Sequence, residues 1–473
     1  MRKTKIICTI GPSSESEAVL REMCLAGMNV ARLNFSHGSH EEHAKKIAAI
    51  KKVREELGLP IAIMLDTKGP EYRIKTFEHG SVELQEGDTF TFTSDDIVGD
   101  ENRVGVTYQQ FAEEMKPGDR VLVNNGLISM VVECVKGSDV FCRVVSGGRL
   151  SDRKSMNFPG KRLHGDYLSP QDKADLLFGI EQGVDYVAAS FVSNGEDAKE
   201  MRDFLDAHGG EEIDIVAKIE NQSGIDHVDE ICEHADGIMV ARGDLGVEIP
   251  FTEVPAVQKN LVEKCRMLGK RVVVATEMLE SMIENIRPTR AEVSDVANAI
   301  YEGASAIMLS GESAAGKHPV EAVKAMSDIA EATEANIDYA AWFENIHFVT
   351  RSNLDAVSHA TCQMAIDVGA KCIAVNSVSG VTARMISRFR CPVPILGITT
   401  SEKAYRKLAL SWGVIPMMCE RFDSLDVIFY HAMREAESLF ALQPGDNIVM
   451  TGGRIGEAKG KSNTIRLETI RKR

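Results

Sequence analysis

Lys218 and Glu220 stand two residues apart in Ala217-Lys-Ile-Glu-Asn, so on an extended strand their side chains share one face. Buried together, they would form an ion pair that only stabilises the strand. Opened to a cleft, Glu220 becomes a hard oxygen ligand for Mg²⁺. Asp244 of Ala241-Arg-Gly-Asp-Leu-Gly supplies a second carboxylate of the kind that ion takes alongside substrate and water. Lys218 would then place a cation beside oxygens that gain charge, and with Arg32 and Arg73 the set suits a phosphorylated, carboxylated substrate. There is no Walker A sequence and no kinase-type Gly-rich loop, so the phosphate chemistry does not belong to a P-loop or protein-kinase fold.

These residues need a scaffold that brings distant segments to one rim. Short apolar, β-branched runs recur at 5–11, 29–35, 61–67, 185–191, 214–220, 237–245, 271–278 and 304–312, and amphipathic helical stretches such as 39–57 and 255–268 lie between most of them. One polar residue sits near the end of each run: Thr9, Asn34, Asp66, Ser190, Lys218, Asp244, Thr276 and Ser310. The intervals are 25, 32, 124, 28, 26, 32 and 34 residues, and all but one fit a single βα unit. Eight such strands predict an α/β fold of the (β/α)₈ TIM-barrel type, with an open doubly wound sheet as the alternative. The long interval marks an insertion. Residues 70–165 carry short alternating strands (Thr89-Phe-Thr-Phe-Thr, Arg120-Val-Leu-Val) and turns at Pro117-Gly-Asp, Asn125-Gly126 and Gly147-Gly148, which predicts a small inserted β-barrel lid. Residues 1–69 and 166–345 are then the catalytic barrel, and 346–473 repeat a βα pattern that predicts a C-terminal α/β domain with a regulatory role.

The formal charge of −16 argues against nucleic acid or an anionic membrane as partner, although a basic site can sit inside an acidic protein. Ten cysteines are scattered without a C-x-x-C pair, which predicts reduced core thiols rather than zinc or a disulfide framework. No apolar run approaches the roughly 20 residues of a membrane span, and the N-terminus lacks a signal-peptide core, so a cytoplasmic location is expected.

Seven blocks recur in order along the chain: Lys5-Ile-Ile-Cys-Thr-Ile-Gly-Pro-Ser, Asn29-Val-Ala-Arg-Leu-Asn-Phe-Ser-His-Gly, Leu65-Asp-Thr-Lys-Gly-Pro-Glu, Ala217-Lys-Ile-Glu-Asn, Met239-Val-Ala-Arg-Gly-Asp-Leu-Gly-Val-Glu, Arg287-Pro-Thr-Arg-Ala-Glu and Ile307-Met-Leu-Ser-Gly-Glu. Together they resemble the pyruvate kinase family along essentially the whole chain, in its bacterial form. The resemblance implies phosphoryl transfer from phosphoenolpyruvate to ADP, giving pyruvate and ATP at the last step of glycolysis. It also implies Mg²⁺ (or Mn²⁺) and K⁺ as cofactors and a homotetramer. Carried over by position, it makes Lys218, Thr276 and Arg32 catalytic, and Arg32, Lys218, Gly243, Asp244 and Thr276 substrate contacts. Glu220 and Asp244 would hold the divalent metal, while Asn34, Ser36, Asp66 and Thr67 match the K⁺ site. Glu71 is the residue type associated with K⁺ dependence, and Asn34, Arg73 and Lys154 are implied to contact the nucleotide.

Three positions depart from the family pattern. Val123-Asn-Asn-Gly replaces Val-Asp-Asp-Gly in the lid, Glu277 replaces a Gln, and Ser313-Ala-Ala-Gly replaces Thr-Ala-Lys-Gly. An active enzyme with altered kinetics is expected. A silent metabolite sensor and a barrel lyase acting on oxo-acids through a metal-bound enolate are the competing readings. In the third domain, Ser377, Ser379 and Thr382 of Asn376-Ser-Val-Ser-Gly-Val-Thr, facing Arg454 and 456–461, are expected to hold a sugar-phosphate effector at a helix N-terminus.

Overall fold

The computed structural model describes residues 1–161, 165–422, 424–453 and 462–472. Eight parallel strands close into a barrel: Lys5–Thr9, Val30–Asn34, Ala62–Asp66, Tyr186–Ala189, Asp214–Ile219, Gly237–Ala241, Arg271–Ala275 and Ala306–Leu309, in sequence order around the ring. Closure excludes the open sheet. The strands are shorter than the apolar runs suggest, and one run changes character. Within 237–245, residues Arg242–Glu248 turn into a helix, so Asp244 sits in a helical first turn and not on a strand. Glycines at 243 and 246 had masked that change in the pattern of apolar residues.

Alternation along each strand divides the barrel's two packing surfaces. Ile7, Val30, Met64, Tyr186, Val216 and Met239 fill the interior, while Ile6, Ala31, Ile63, Val187, Ala217 and Ile238 pack outward under the helices. The helices start where hydroxyls cap them: Ser39, Ser169 and Thr289 each form a reciprocal capping box with the acidic residue three positions on.

The segment between the third and fourth strands holds a seven-stranded sheet and a two-stranded one around Phe90, Phe92, Phe111 and Val121. One of its strands, Ile128–Lys136, escapes the sequence pattern. Gly147-Gly148, expected as a turn, is instead the point where the chain passes from one sheet to the other. A Cβ on Gly147 would lie 2.2 Å from the Leu84 carbonyl oxygen, so no side chain fits there. Beyond the barrel, strands Cys372–Asn376, Ile395–Thr399, Val414–Met418 and Asn447–Gly452 form a parallel sheet, completed by an antiparallel edge strand Thr464–Thr469 that the pattern did not suggest. Eight of the ten cysteines are buried and all ten are free thiols.

The C-terminal domain seals the base of the barrel. Leu410 is fully buried among the interior residues Ile7, Tyr186 and Val273, and the Tyr186 hydroxyl donates to the Lys407 carbonyl. Leu410→Ala is therefore expected to destabilise the protein by about 2–5 kcal/mol, because the rigid strand ends cannot collapse into the space left. Thermal unfolding monitored by near-UV circular dichroism would read this, and an unchanged midpoint would show that the plug carries no packing energy.

Candidate active site

The alternation that makes the barrel interior apolar also builds the site. Continuing the inward-facing positions toward the strand C-termini leads from Ile7 to Thr9, from Val30 to Arg32 and from Met64 to Asp66. In the next two strands it leads from Ala188 to Ser190 and from Val216 to Lys218 and Glu220. The barrel floor is hydrocarbon and its upper layer is charged.

Asp66 is the hub of that layer. Its Oδ2 accepts from Arg32 Nε at 2.6 Å and its Oδ1 from Lys218 Nζ at 3.2 Å. Arg32 also donates to the Thr9 hydroxyl at 2.8 Å, and Lys218 to the Ser190 hydroxyl at 2.8 Å. Lys218 Nζ lies 3.0 Å from Glu220 Oε1. The shared face read from the sequence therefore produces a buried pair at the C-terminal end of its strand. Burial alone would raise the Asp66 pKa, but Arg32 and Lys218 outweigh it and hold the carboxyl below its usual range. Desolvation likewise disfavours the charged Lys218, and Asp66 with Glu220 reverse the effect and raise it.

Glu220 differs. It is fully buried, and desolvation pushes its pKa up to about 7 with a contribution from Asp244, against the opposing pull of Lys218. Its Oε2 accepts from the Phe191 amide at 2.6 Å, whereas Oε1 accepts no hydrogen bond among the described residues. A buried carboxylate oxygen with only the Lys218 ammonium beside it, together with the exposed Asp244 carboxylate in the first turn of the helix that follows the next strand, fits a divalent cation held by oxygen ligands.

On the opposite wall, Thr276 and Glu277 both adopt left-handed backbone (φ +71° and +53°), which a β-branched residue takes only when its surroundings force it. Arg242 provides the force. It donates to the Thr276 carbonyl at 2.6 Å and the Glu277 carbonyl at 3.1 Å, and its other arm is fixed by Asp295 at 2.7 Å. The Thr276 hydroxyl accepts from the Gly243 amide at 2.8 Å, so two residues read separately as substrate contacts are coupled to each other.

A cavity of about 550 Å³ opens between this rim and the lid, lined by Arg73, Lys154, Asn157, Asn221, Asp244 and Glu248 among others. Arg73 donates to the Arg153 carbonyl at 2.6 Å and pairs with Glu71, which also lies 3.9 Å from Lys68. Asn124 and Asn125 line the same cavity in left-handed backbone (φ +57° and +54°), a conformation asparagine tolerates better than most residues. Asn157 of the lid donates to Glu248 Oε1 at 3.0 Å, tying lid to barrel. The sequence reading missed that pair: a lone Asn in a three-residue strand has no pattern to betray it.

The four oxygen-bearing residues Asn34, Ser36, Asp66 and Thr67 also come together. Asn34 is in register with Asp66 on the neighbouring strand, and its Oδ1 accepts from the Ser36 amide at 3.0 Å. Thr67 Oγ1 accepts from the Ser190 amide at 3.1 Å. In the C-terminal domain, Ser377 and Ser379 lie in the strand-to-helix turn with Gly380 in left-handed backbone. Thr382 is buried against the Ser462 hydroxyl at 2.7 Å. Arg454 and residues 456–461 lie outside the described residues.

Comparison with known proteins agrees with this geometry. The family profile described as pyruvate kinase, barrel domain, matches residues 1–323, and that of the pyruvate kinase alpha/beta domain matches 355–468. Pyruvate kinase of Clostridium perfringens is 45% identical over 99% of this chain and 100% of its own length, and that of Geobacillus stearothermophilus is 44% identical over 99% and 80%. The crystal structure of a pyruvate kinase from Cryptosporidium parvum superposes with a TM-score of 0.94 at 36% identity, covering 99% of this chain and 96% of that one. With the barrel, its charged upper layer and both family profiles in place across the chain, this protein belongs to the pyruvate kinase family and is a phosphotransferase of that type.

Proposed function

We propose that the barrel mouth transfers the phosphoryl group of phosphoenolpyruvate to ADP and then protonates the enolpyruvate formed, yielding pyruvate and ATP. The observation that carries this reading is Lys218, held among Asp66, Ser190 and Glu220 at the top of the barrel. An ammonium fixed there costs no reorganisation when charge develops on the transferring group and on the enolate. Arg32, pinned by Asp66 and Thr9, presents its remaining N–H groups to the substrate phosphate. Arg73 and Lys154, which line the cavity under the lid, take the nucleotide phosphates, and Asn34 is the third nucleotide contact of this reading. Thr276, locked by Arg242, lies by the face at which the enol carbon is protonated.

Glu220 and Asp244 would hold Mg²⁺ or Mn²⁺, which when bound neutralises phosphate charge and makes the enolate a better leaving group. Asn34, Ser36, Asp66 and Thr67 offer mostly uncharged oxygens, a donor set suited to K⁺, with Glu71 supplying negative charge nearby. Family membership supports a homotetramer in the cytoplasm. Among the described residues no helix is long and apolar enough to cross a membrane. A sugar-phosphate activator at Ser377 and Ser379 completes the proposal, with Thr382 supporting the turn from within.

Purified protein with Mg²⁺ and K⁺ should form pyruvate from phosphoenolpyruvate and ADP, followed by coupled lactate dehydrogenase. Exchanging K⁺ for Na⁺ should lower kcat by about tenfold or more. Binding of phosphoenolpyruvate without turnover would instead identify a silent sensor, and unchanged rates in Na⁺ would remove the monovalent site.

A further inference from the structure

The segment between the third and fourth barrel strands rejoins the barrel through residues 165–168, after which Ser169 caps the helix Pro170–Glu181. Tyr167 lies in that return and is 5% exposed. Its hydroxyl donates to the Ser190 carbonyl at 2.9 Å. Burial, with Asp197 and Asp172 nearby, pushes the Tyr167 pKa well above its ordinary value, so the phenol keeps its proton and remains a donor.

The carbonyl that Tyr167 reaches belongs to the same peptide group as the Phe191 amide, and that amide donates to Glu220 Oε2 at 2.6 Å. The peptide is trans, so its C=O and N–H project in opposite directions. One plane is therefore gripped at one end by a phenol and at the other by the Glu220 carboxylate. The grip has a purpose, because Phe191 has left-handed backbone (φ +56°), which a bulky residue keeps only where its surroundings over-determine it. Ser190 adds two bonds, from its amide to Thr67 Oγ1 at 3.1 Å and from its hydroxyl to the Thr67 carbonyl at 2.6 Å. The same hydroxyl accepts from Lys218 at 2.8 Å. The Ser190–Phe191 turn thus holds both members of the Lys218–Glu220 pair, and Tyr167 ties that turn to the return limb of the lid.

A glutamate carboxylate turns easily about its last torsion, so its partners decide where each oxygen points. The Phe191 amide takes Oε2 and leaves Oε1 beside Lys218 Nζ at 3.0 Å. A hydrogen bond into the Ser190 carbonyl also polarises the peptide and strengthens its N–H as a donor. We propose that Tyr167 is a positioning residue for Glu220: acting through the Ser190–Phe191 peptide, it fixes the carboxylate in the orientation that offers Oε1 to a divalent cation. The role rests on the reading of Glu220 as a ligand for that ion.

Tyr167→Phe keeps the buried ring and removes only the hydroxyl. In the full-length, substrate-free protein it should weaken Mn²⁺ binding, read by electron paramagnetic resonance, by about fivefold, the equivalent of one hydrogen bond. The apparent KM for Mg²⁺ should rise by a similar factor while the KM for ADP stays unchanged. Leu410→Ala, which costs stability at the opposite end of the barrel, should leave Mn²⁺ binding as it is, and Glu220→Gln should lose it. Binding that Glu220→Gln leaves unaltered would overturn the divalent-ligand reading of Glu220, and this role with it. Where Glu220→Gln abolishes binding, equal Mn²⁺ affinity in the wild type and Tyr167→Phe would overturn the role of Tyr167 alone. Equal weakening in Leu410→Ala would trace the effect to a general loss of stability and overturn that role as well.

Discussion

Lys218→Met is expected to lower kcat by about 10³-fold, with a much smaller change in the KM for phosphoenolpyruvate. The loss of one preorganised electrostatic contact that acts on charge developing in the transition state has about this size. The split between kcat and KM is the informative part, because Arg32 remains to bind the phosphate and stays fixed by both Asp66 at 2.6 Å and Thr9 at 2.8 Å. Divalent-cation binding, measured by Mn²⁺ electron paramagnetic resonance, should survive, since Glu220 loses a competing cation and keeps the Phe191 amide. Steady-state kinetics that showed the same loss in KM and none in kcat would mean that Lys218 only binds substrate. The variant is also expected to be somewhat less stable, because Asp66 keeps Arg32 but loses its second cation.

Asp66→Asn should have the largest effect on stability, about 3–5 kcal/mol, with activity falling at least as far as the misplacement of two cationic side chains requires. The side chain is isosteric and leaves no cavity. The cost lies in Arg32 and Lys218, both nearly buried, which lose the charge that holds them. The pH dependence carries a sign that identifies the mechanism. Burial would raise the Asp66 pKa, but Arg32 and Lys218 bring it below the ordinary 3.8. Its stabilising contribution is therefore fully present above about pH 4 and is lost as pH falls through the lower folded-state value. Denaturant unfolding of the wild type should lose this contribution on acidification, and the Asn variant should lack that component of the slope. Equal acid sensitivity of the two proteins would show that Asp66 is not the charged hub.

Why Asp66 acts as a hub was only partly legible in the sequence. Its residue type and its place at the end of an apolar run marked it as a rim residue, and the 32-residue interval from Asn34 placed it one βα unit along. That it would bridge Arg32 and Lys218, which lie 34 and 152 residues away, depends on how eight strands close. Asp244 shows the opposite limit. Its chemistry was legible, but its place on a helix was not, since residues 242–245, the first part of the helix Arg242–Glu248, read as a continuation of the strand before them. The Asn157–Glu248 tie and the Thr276–Gly243 bond had no sequence signal, because each joins residues whose spacing in the chain carries no period.

The sequence by itself determined the parts list: eight βα units, an interruption after the third, a βα-patterned C-terminal segment, and a polar residue at the end of each apolar run. Those features are local, set by hydrophobic periodicity and by the alternation of side chains across a strand. Only the tertiary structure decided which charges neutralise one another, and among the described residues it left Glu220 Oε1 without a hydrogen bond and Arg390 Nε without an acceptor. Pairing and burial depend on distances between segments far apart in the chain, and those distances exist only once the barrel has closed and Leu410 has docked beneath it.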